Sequence, residues 1–582
     1  MNTLSKITRL NSTAMGKLKA DSVLTNCNLV NVYTGKVQPK YQIAISSGII
    51  AYVGKDASHT ISKNTKVITM NNQFVLPGLV DPHIHIDQFV VPSELAKQCL
   101  LHGVTSLFSD PIDITGTLGY SGFKKFVKLC NNLPIRIFNT IPGGLPIDPK
   151  LSTGNRLKQS EIKDALKLPN VVGLGEVFSW TKVIDRDPTI MKTISMMLDN
   201  HCIINGHTAG MSDKKLNAYV SSGILSCHEP INYSQVLQRL ELGMWVMIRQ
   251  GSIRRDLKEI ITDVISHDTP VDHLMFCSDG IDPYDMKKFG HIDHCINESI
   301  KLGLDPIRAI MMGSRNCFDY YNMSDRFGSI APGKYADIIT TNNLKSIKPD
   351  LVFVGGKMVV NRGKLIVKIP KPQIPKSMLN TVRLDTVQPS DFMISSTKSS
   401  VLANVIHLDT EIITHVDQIH LDVNNNDVVL NNNLCKVASF DRQGSGKRTI
   451  ALLKNFGSNV GAFASSWSFH ENDIIVIGSD DTDMALAVNK LKQSQGGIIL
   501  IDKKHIISHL KFNFGGIIST ESFDKVYDNF SHLQKSLGQL HCNFLRPHLI
   551  PMFLPFLSLP SIRLLHTGLV DVKQRKFLPV LA

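Results

Sequence analysis

Residues 77–85, Pro77-Gly78-Leu79-Val80-Asp81-Pro82-His83-Ile84-His85, follow directly on the apolar run Phe74-Val75-Leu76. An apolar run of this kind reads as a buried strand, and residues two apart on a strand point to the same face. His83 and His85 can therefore present both imidazoles to one ion from the end of a single strand. Imidazole suits zinc, copper, iron and nickel. A lone His-x-His is a short motif and equally fits two polar residues in a turn. What decides the reading is the set of acids and histidines that follows further along the chain.

Each further candidate sits just after a strand-like run. Glu176 follows Val171 to Gly175, His207 follows Cys202 to Gly206, His228 follows Gly223 to Cys227, and Asp279 follows Leu274 to Ser278. Between these runs lie helical patterns such as Ser160 to Leu168 and Ser212 to Ser221. Strands alternating with helices over residues 76–325 match a parallel (β/α)8 barrel, whose active site forms at the C-terminal ends of the strands. Four histidines and two acids can hold two divalent ions, with Glu176 bridging. Such ions acidify water toward neutral pH. Asp279 is then suited to shuttle the proton.

Outward from the barrel, residues 22–75 read as short strands, among them Ile43-Ala44-Ile45 and Ile49 to Val53. Strand patterns return at Ile338-Ile339 and Leu351 to Val354. Residues 22–75 and 326–367 are therefore expected to form one small composite β-sandwich. Residues 368–392 are rich in Pro and Lys and read as a linker. Residues 393–582 mix strands and helices as a separate α/β domain. The predicted class is α/β, a TIM-like barrel flanked by these two units.

Composition narrows the functional classes. The 582-residue chain is 43% hydrophobic and 19% charged, a globular balance. The net charge of +13 is spread over scattered Lys and Arg, with only short groups such as Arg254-Arg255. A nucleic-acid binder concentrates its excess in a patch, so no nucleic-acid partner is expected. Ten cysteines stand singly with no Cys-x-x-Cys pair, which fits a reducing cytoplasm rather than a thiolate zinc ribbon or a disulfide scaffold. Met1 to Ala20 lacks the apolar segment of a signal peptide. Leu549 to Leu559 is too short to span a bilayer and is broken by Pro551 and Pro555. No membrane association is expected; a homo-oligomer is left open. Pro142-Gly143-Gly144 reads as a tight turn, and Asp441 to Lys447 as a loop without phosphate-loop spacing. His102, His291 and His294 read as structural hydrogen-bonding residues.

The motifs Gly173-Leu174-Gly175-Glu176, Gly206-His207-Thr208-Ala209-Gly210, Ser226-Cys227-His228-Glu229 and Cys277-Ser278-Asp279 resemble the adenine deaminase family of the amidohydrolase superfamily. The resemblance extends to Gly461 to Ser466, Asn472 to Gly478 and Thr567 to Val572, in a C-terminal region most amidohydrolases lack. It implies metal-dependent hydrolysis of adenine to hypoxanthine and ammonia, within purine salvage or catabolism. By similarity His83, His85, Glu176, His207, His228 and Asp279 are the metal site, and Glu176 and Asp279 the catalytic pair. The implied metal is manganese, with iron or zinc as alternatives, in a binuclear centre. Glu229 and Asp87 are candidate substrate-binding residues; Glu229 could hydrogen-bond a ring nitrogen, and a structural carboxylate is the alternative.

The chain departs from the family pattern at three places. It has Asp87-Gln88 where the family commonly has Glu-Ser. It has Asp110-Pro111-Ile112-Asp113 in place of Asp-Pro-His-Glu, and Phe469-His470-Glu471-Asn472-Asp473 in place of His-Asp-Ser-His-Asn. These changes alter hydrogen-bond reach at pocket positions. They leave open an amidohydrolase acting on another heterocycle or cyclic amide. Retention of all six metal-site residues argues against a non-catalytic relative.

Overall fold

A computed structural model describes residues 3–431, 433–457 and 460–582. Its centre is a set of short parallel strands whose residues are almost wholly buried, as in Leu79–Ile84, Val104–Ser109 and Leu274–Cys277. Strands buried on both faces carry continuous apolar runs and need helices to cover them. Among the described residues, Leu79–Ile84, Val104–Ser109, Arg136–Ile141, Val171–Val177 and Ile203–Gly206 form a five-stranded parallel sheet in that order. Ser226–Cys227, Trp245–Arg249 and Leu274–Cys277 form a three-stranded continuation. A parallel bridge between Ile84 and Asp279 joins the last strand back to the first. The curled sheet thus brings the first and last ligand-bearing strand ends together, as the (β/α)8 class requires.

Covering helices start where the sequence supplies caps. Asp187, Asp282 and Asp305 each accept backbone N–H bonds at the start of Pro188–Asp199, Pro283–Phe289 and Pro306–Met312, with proline in the first turn of all three.

The segments before and after the barrel meet in one nine-stranded sheet. Ile338–Thr341 pairs antiparallel with Phe74–Pro77, which runs straight into the Leu79–Ile84 strand. Its inner face packs Leu24, Ile43, Ile50, Val75, Ile338 and Phe353 into a common core. The C-terminal region carries a second, mostly antiparallel nine-stranded sheet, with the helix Asp481–Ser494 against it.

Residues 368–392 differ from a free linker. Val382, Leu384, Val387 and Phe392 are buried in the core that includes Met484, Val488 and Leu491 of that helix. Alternating apolar residues within a Pro- and Lys-rich stretch give it enough surface to bury, and the composition alone hides this.

Backbone pairing and side-chain hydrogen bonds fasten the C-terminal region over the barrel mouth. Phe89–Val90 pairs in parallel with Ile518–Ser519. Asp113 accepts from Trp467 Nε1 at 3.0 Å and from His470 N at 2.8 Å, while its carbonyl accepts from Asn472 Nδ2 at 3.1 Å. The intervening Phe469 is thereby aimed into the barrel mouth.

Candidate active site at the barrel mouth

Glu176 is the hub of the site. It lies near the end of Val171–Val177, almost fully buried. Its Oε1 is 3.2 Å from His83 Nε2 and 3.1 Å from His85 Nε2. Its Oε2 is 2.9 Å from His207 Nδ1 and 3.2 Å from His228 Nε2. One carboxylate therefore divides four imidazoles into two pairs, one pair per oxygen. Asp279 Oδ1 lies 3.5 Å from both His83 Nε2 and His85 Nε2. The six residues read from the strand ends are thus gathered into one cluster. Within it, the candidate ligand atoms of His83, His85, Glu176 and Asp279 lie within 4.8 Å of one another, as do those of Glu176, His207 and His228.

These donors fit a bound cation. His83 Nε2, His85 Nε2 and Glu176 Oε1 are buried and make no hydrogen bond among the described residues, although they converge. Buried polar atoms are normally satisfied, and an ion at their convergence would satisfy all three. The tautomer of His85 agrees. Its Nδ1 lies 2.7 Å from the Asp110 carbonyl, which can only accept, so Nδ1 carries the proton and Nε2 offers its lone pair. Asp110 Oδ2 also accepts from Glu176 N at 2.8 Å, so one residue holds both His85 and Glu176 in place. Asp279 sits at φ 60°, a left-handed conformation uncommon outside glycine and held here by the surrounding structure. These residues and this chemistry fit a divalent metal.

Arg249 is a site residue that no role had been read for. It ends Trp245–Arg249, a strand-end position equivalent to those of the acids and histidines, and that equivalence was the available signal. Its Nη1 lies 2.5 Å from Glu229 Oε1 and 3.3 Å from Asp279 Oδ2, and its Nη2 lies 3.4 Å from Asp256 Oδ2. Burial pushes the Glu229 carboxyl up, but Arg249 and the neighbouring His207 and His228 outweigh it and hold it well below the usual range. Glu176 is likewise raised by burial and lowered further by His228 and His83. Arg249→Met strands three carboxylates in a buried site. It is expected to destabilise the fold by about 3–5 kcal/mol, the scale for removing one partner of a buried ion pair. Denaturant unfolding checks this; a loss within error would mean that the guanidinium is solvated.

The cluster opens into a cavity of about 310 Å³ whose wall includes His85, Glu176, His207, His228, Glu229 and Asp279. Its opposite wall is apolar and comes largely from the C-terminal region: Phe469, Phe553, Phe556 and Leu559, with Ile412 and Ile413 and, from the barrel, Phe178. Phe469 stands edge-on to His85 at 5.4 Å and to Phe556 at 4.7 Å. The apolar stretch around Phe553, too short to span a bilayer, lines this cavity. Glu229 faces the cavity, whereas Asp87 does not line it. Asp87 is buried beside Asp113 and accepts from Ile114 N at 2.7 Å; burial and the Asp113 charge push its carboxyl up to about 8. Ile112 is fully buried at the start of the helix Ile112–Cys130. Of the other histidines, His291 Nε2 pairs with Asp81 at 2.8 Å and His102 Nδ1 with Asp293 at 3.0 Å, both outside the cluster.

The amidohydrolase family matches residues 74–359, and the adenine deaminase C-terminal domain matches residues 411–576. The chain is 50% identical over 586 residues to an adenine deaminase of Cenarchaeum symbiosum, covering 100% of this chain and 96% of that protein. It is 32% identical over 587 residues to an adenine deaminase of Staphylothermus marinus, covering 98% and 96%. Among solved structures, a beta-aspartyl dipeptidase from Fervidobacterium islandicum AW-1 superposes with a TM-score of 0.47 at 16% identity, over 60% of this chain and 98% of that one.

Proposed function

The chain belongs to the adenine deaminase family, and from that membership we propose that it hydrolyses adenine to hypoxanthine and ammonia at the barrel mouth. The observation that carries this reading is full-length similarity to adenine deaminases, C-terminal domain included, over a cavity that joins a His/carboxylate cluster to an aromatic wall. Ammonia release from adenine by the metal-loaded protein tests it, and metal bound without release would overturn it.

His83, His85, Glu176, His207, His228 and Asp279 would hold two divalent ions, with Glu176 bridging. The division of four imidazoles between its two oxygens supports this count. Manganese is the proposed metal, with iron or zinc as substitutes. When bound, the ions supply Lewis-acid activation of water.

Asp279 is the proton carrier. It faces the cluster through Oδ1 and is held through Oδ2 by Arg249. It takes a proton from the attacking water and returns it to the departing amine, which must leave as ammonia. Glu229, held ionised by Arg249, is an acceptor for an N–H of the base. The rings of Phe178, Phe469, Phe553 and Phe556 offer apolar surface for a planar heterocycle and exclude water from it.

Phe469→Ala is expected to raise KM for adenine by about 5–150-fold, with a smaller change in kcat, because base–aromatic contact is worth about 1–3 kcal/mol. Steady-state kinetics checks this; an unchanged KM would remove Phe469 from the binding surface. The ten cysteines are free thiols, and no described helix is long and apolar enough to cross a membrane. The free thiols support the cytoplasmic placement we propose.

A further inference from the structure

A second group of histidines and carboxylates lies in the C-terminal region and shares no residue with the catalytic cluster. Strands Ser400–Leu408 and Thr414–Asn424 pair antiparallel, with His407 directly opposite His415. Their rings stack with centroids 4.4 Å apart. Asp409 follows the first strand immediately. His407, Asp409 and His415 each bring a ligand atom, and these atoms lie within 4.8 Å of one another.

The contacts of His415 are the informative detail. Its Nδ1 is 2.9 Å from Asp409 Oδ2 and its Nε2 is 3.1 Å from Asp417 Oδ1. A neutral imidazole carries one proton, so it cannot donate to a carboxylate from both nitrogens. A second proton, on the ring or on one of the carboxylates, or a metal ion in its place reconciles these contacts. Asp417 is already engaged by Lys454 Nζ at 2.7 Å and by His407 Nδ1 at 2.9 Å. Asp409 is the carboxylate left available. Two imidazoles and one carboxylate suit a zinc-class ion, with water completing a tetrahedron.

The location gives such an ion a consequence. Residues 409–413 form the turn between the two strands, and Ile412 and Ile413 at its far side line the catalytic cavity. The turn is otherwise tied by Arg563 Nη2 to the Ile412 carbonyl at 3.0 Å and by Arg546 N to Glu411 Oε1 at 3.1 Å. We propose that His407, Asp409 and His415 bind a zinc-class divalent ion, which pins both feet of this turn and so fixes the part of the cavity wall made by Ile412 and Ile413. The binding site is independent of the adenine reading; only its effect on the pocket rests on the cavity being the active site.

The test uses full-length, manganese-loaded protein titrated with Zn2+ in equilibrium dialysis, comparing wild type with His415→Gln and Asp409→Asn. Wild type is expected to take up about one Zn2+ per chain more than either variant, while manganese content stays equal in all three. Zn2+ is expected to slow amide hydrogen exchange across residues 409–413 in wild type and not in the variants. Equal zinc uptake in all three proteins overturns the site, and uptake without slowed exchange overturns the clamp. If a variant loses its manganese through misfolding, wild type alone decides, since exchange at 409–413 indifferent to Zn2+ contradicts the proposal.

Discussion

Asp279→Asn is expected to lower kcat for adenine by about 10²–10⁴-fold, the usual scale for a lost acid–base group, while keeping most of the bound metal. The carboxamide has nearly the same shape and retains one oxygen toward His83 and His85, which Asp279 now meets at 3.5 Å. It cannot take up a proton at neutral pH. With that oxygen toward the histidines, the amide NH2 faces Arg249 Nη1, 3.3 Å from Asp279 Oδ2, so the contact with Arg249 is lost while the oxygen toward the cluster is kept. Metal content and kcat should therefore separate in this variant. Full activity in Asp279→Asn would end its role as proton carrier.

The double variant His83→Ala, His85→Ala is expected to behave in the opposite way, with metal and activity lost together. Both imidazoles meet the same Glu176 oxygen, with Asp279 Oδ1 3.5 Å from each Nε2, and neither Nε2 makes a hydrogen bond among the described residues. Removing them leaves one side of the cluster with carboxylates alone. Elemental analysis should fall from about two ions per chain, the number proposed for a carboxylate-bridged hydrolytic centre, to about one or none. Turnover should fall to the level of the uncatalysed background. Circular dichroism should show the folded chain, because the barrel core does not depend on these two rings. Retained deamination in the double variant would remove the cluster from the chemistry.

The fold class was legible because buried parallel strands write themselves as short apolar runs, and each functional side chain sits at the end of one. Glu176, His207, His228 and Asp279 are separated by dozens of residues, but the βα period puts their strand ends on one face. Arg249 shared that signal and was passed over because it is neither an acid nor a histidine. The aromatic wall was not legible. Phe469, Phe553 and Phe556 are brought to His85 and Glu176 by docking of the C-terminal region, through Asp113 and the Phe89–Val90 strand. No local period encodes a contact between elements so far apart in sequence. Phe469 stood out only as a departure from the family pattern, and its position against His85 gives that departure a place in the pocket. Asp87, another departure, is directed into the buried contact with Asp113 and Ile114 rather than into the cavity. Residues 368–392 misled for a different reason: their prolines and lysines dominate the composition, while the few apolar side chains do the packing.

Substrate preference tests the central claim most directly. Ammonia release should be measured from adenine, adenosine, guanine and cytosine with the manganese-loaded protein. The cavity of about 310 Å³ joins the carboxylates and histidines to a wall that includes Phe178, Phe469, Phe553 and Phe556. A site built to hydrogen-bond one base can reject an analogue that lacks the matching groups by about 10⁴-fold. The account predicts that adenine is deaminated in clear preference to the other three, with hypoxanthine as product. Preferential turnover of adenosine or cytosine, or no release from adenine with metal bound, would contradict it.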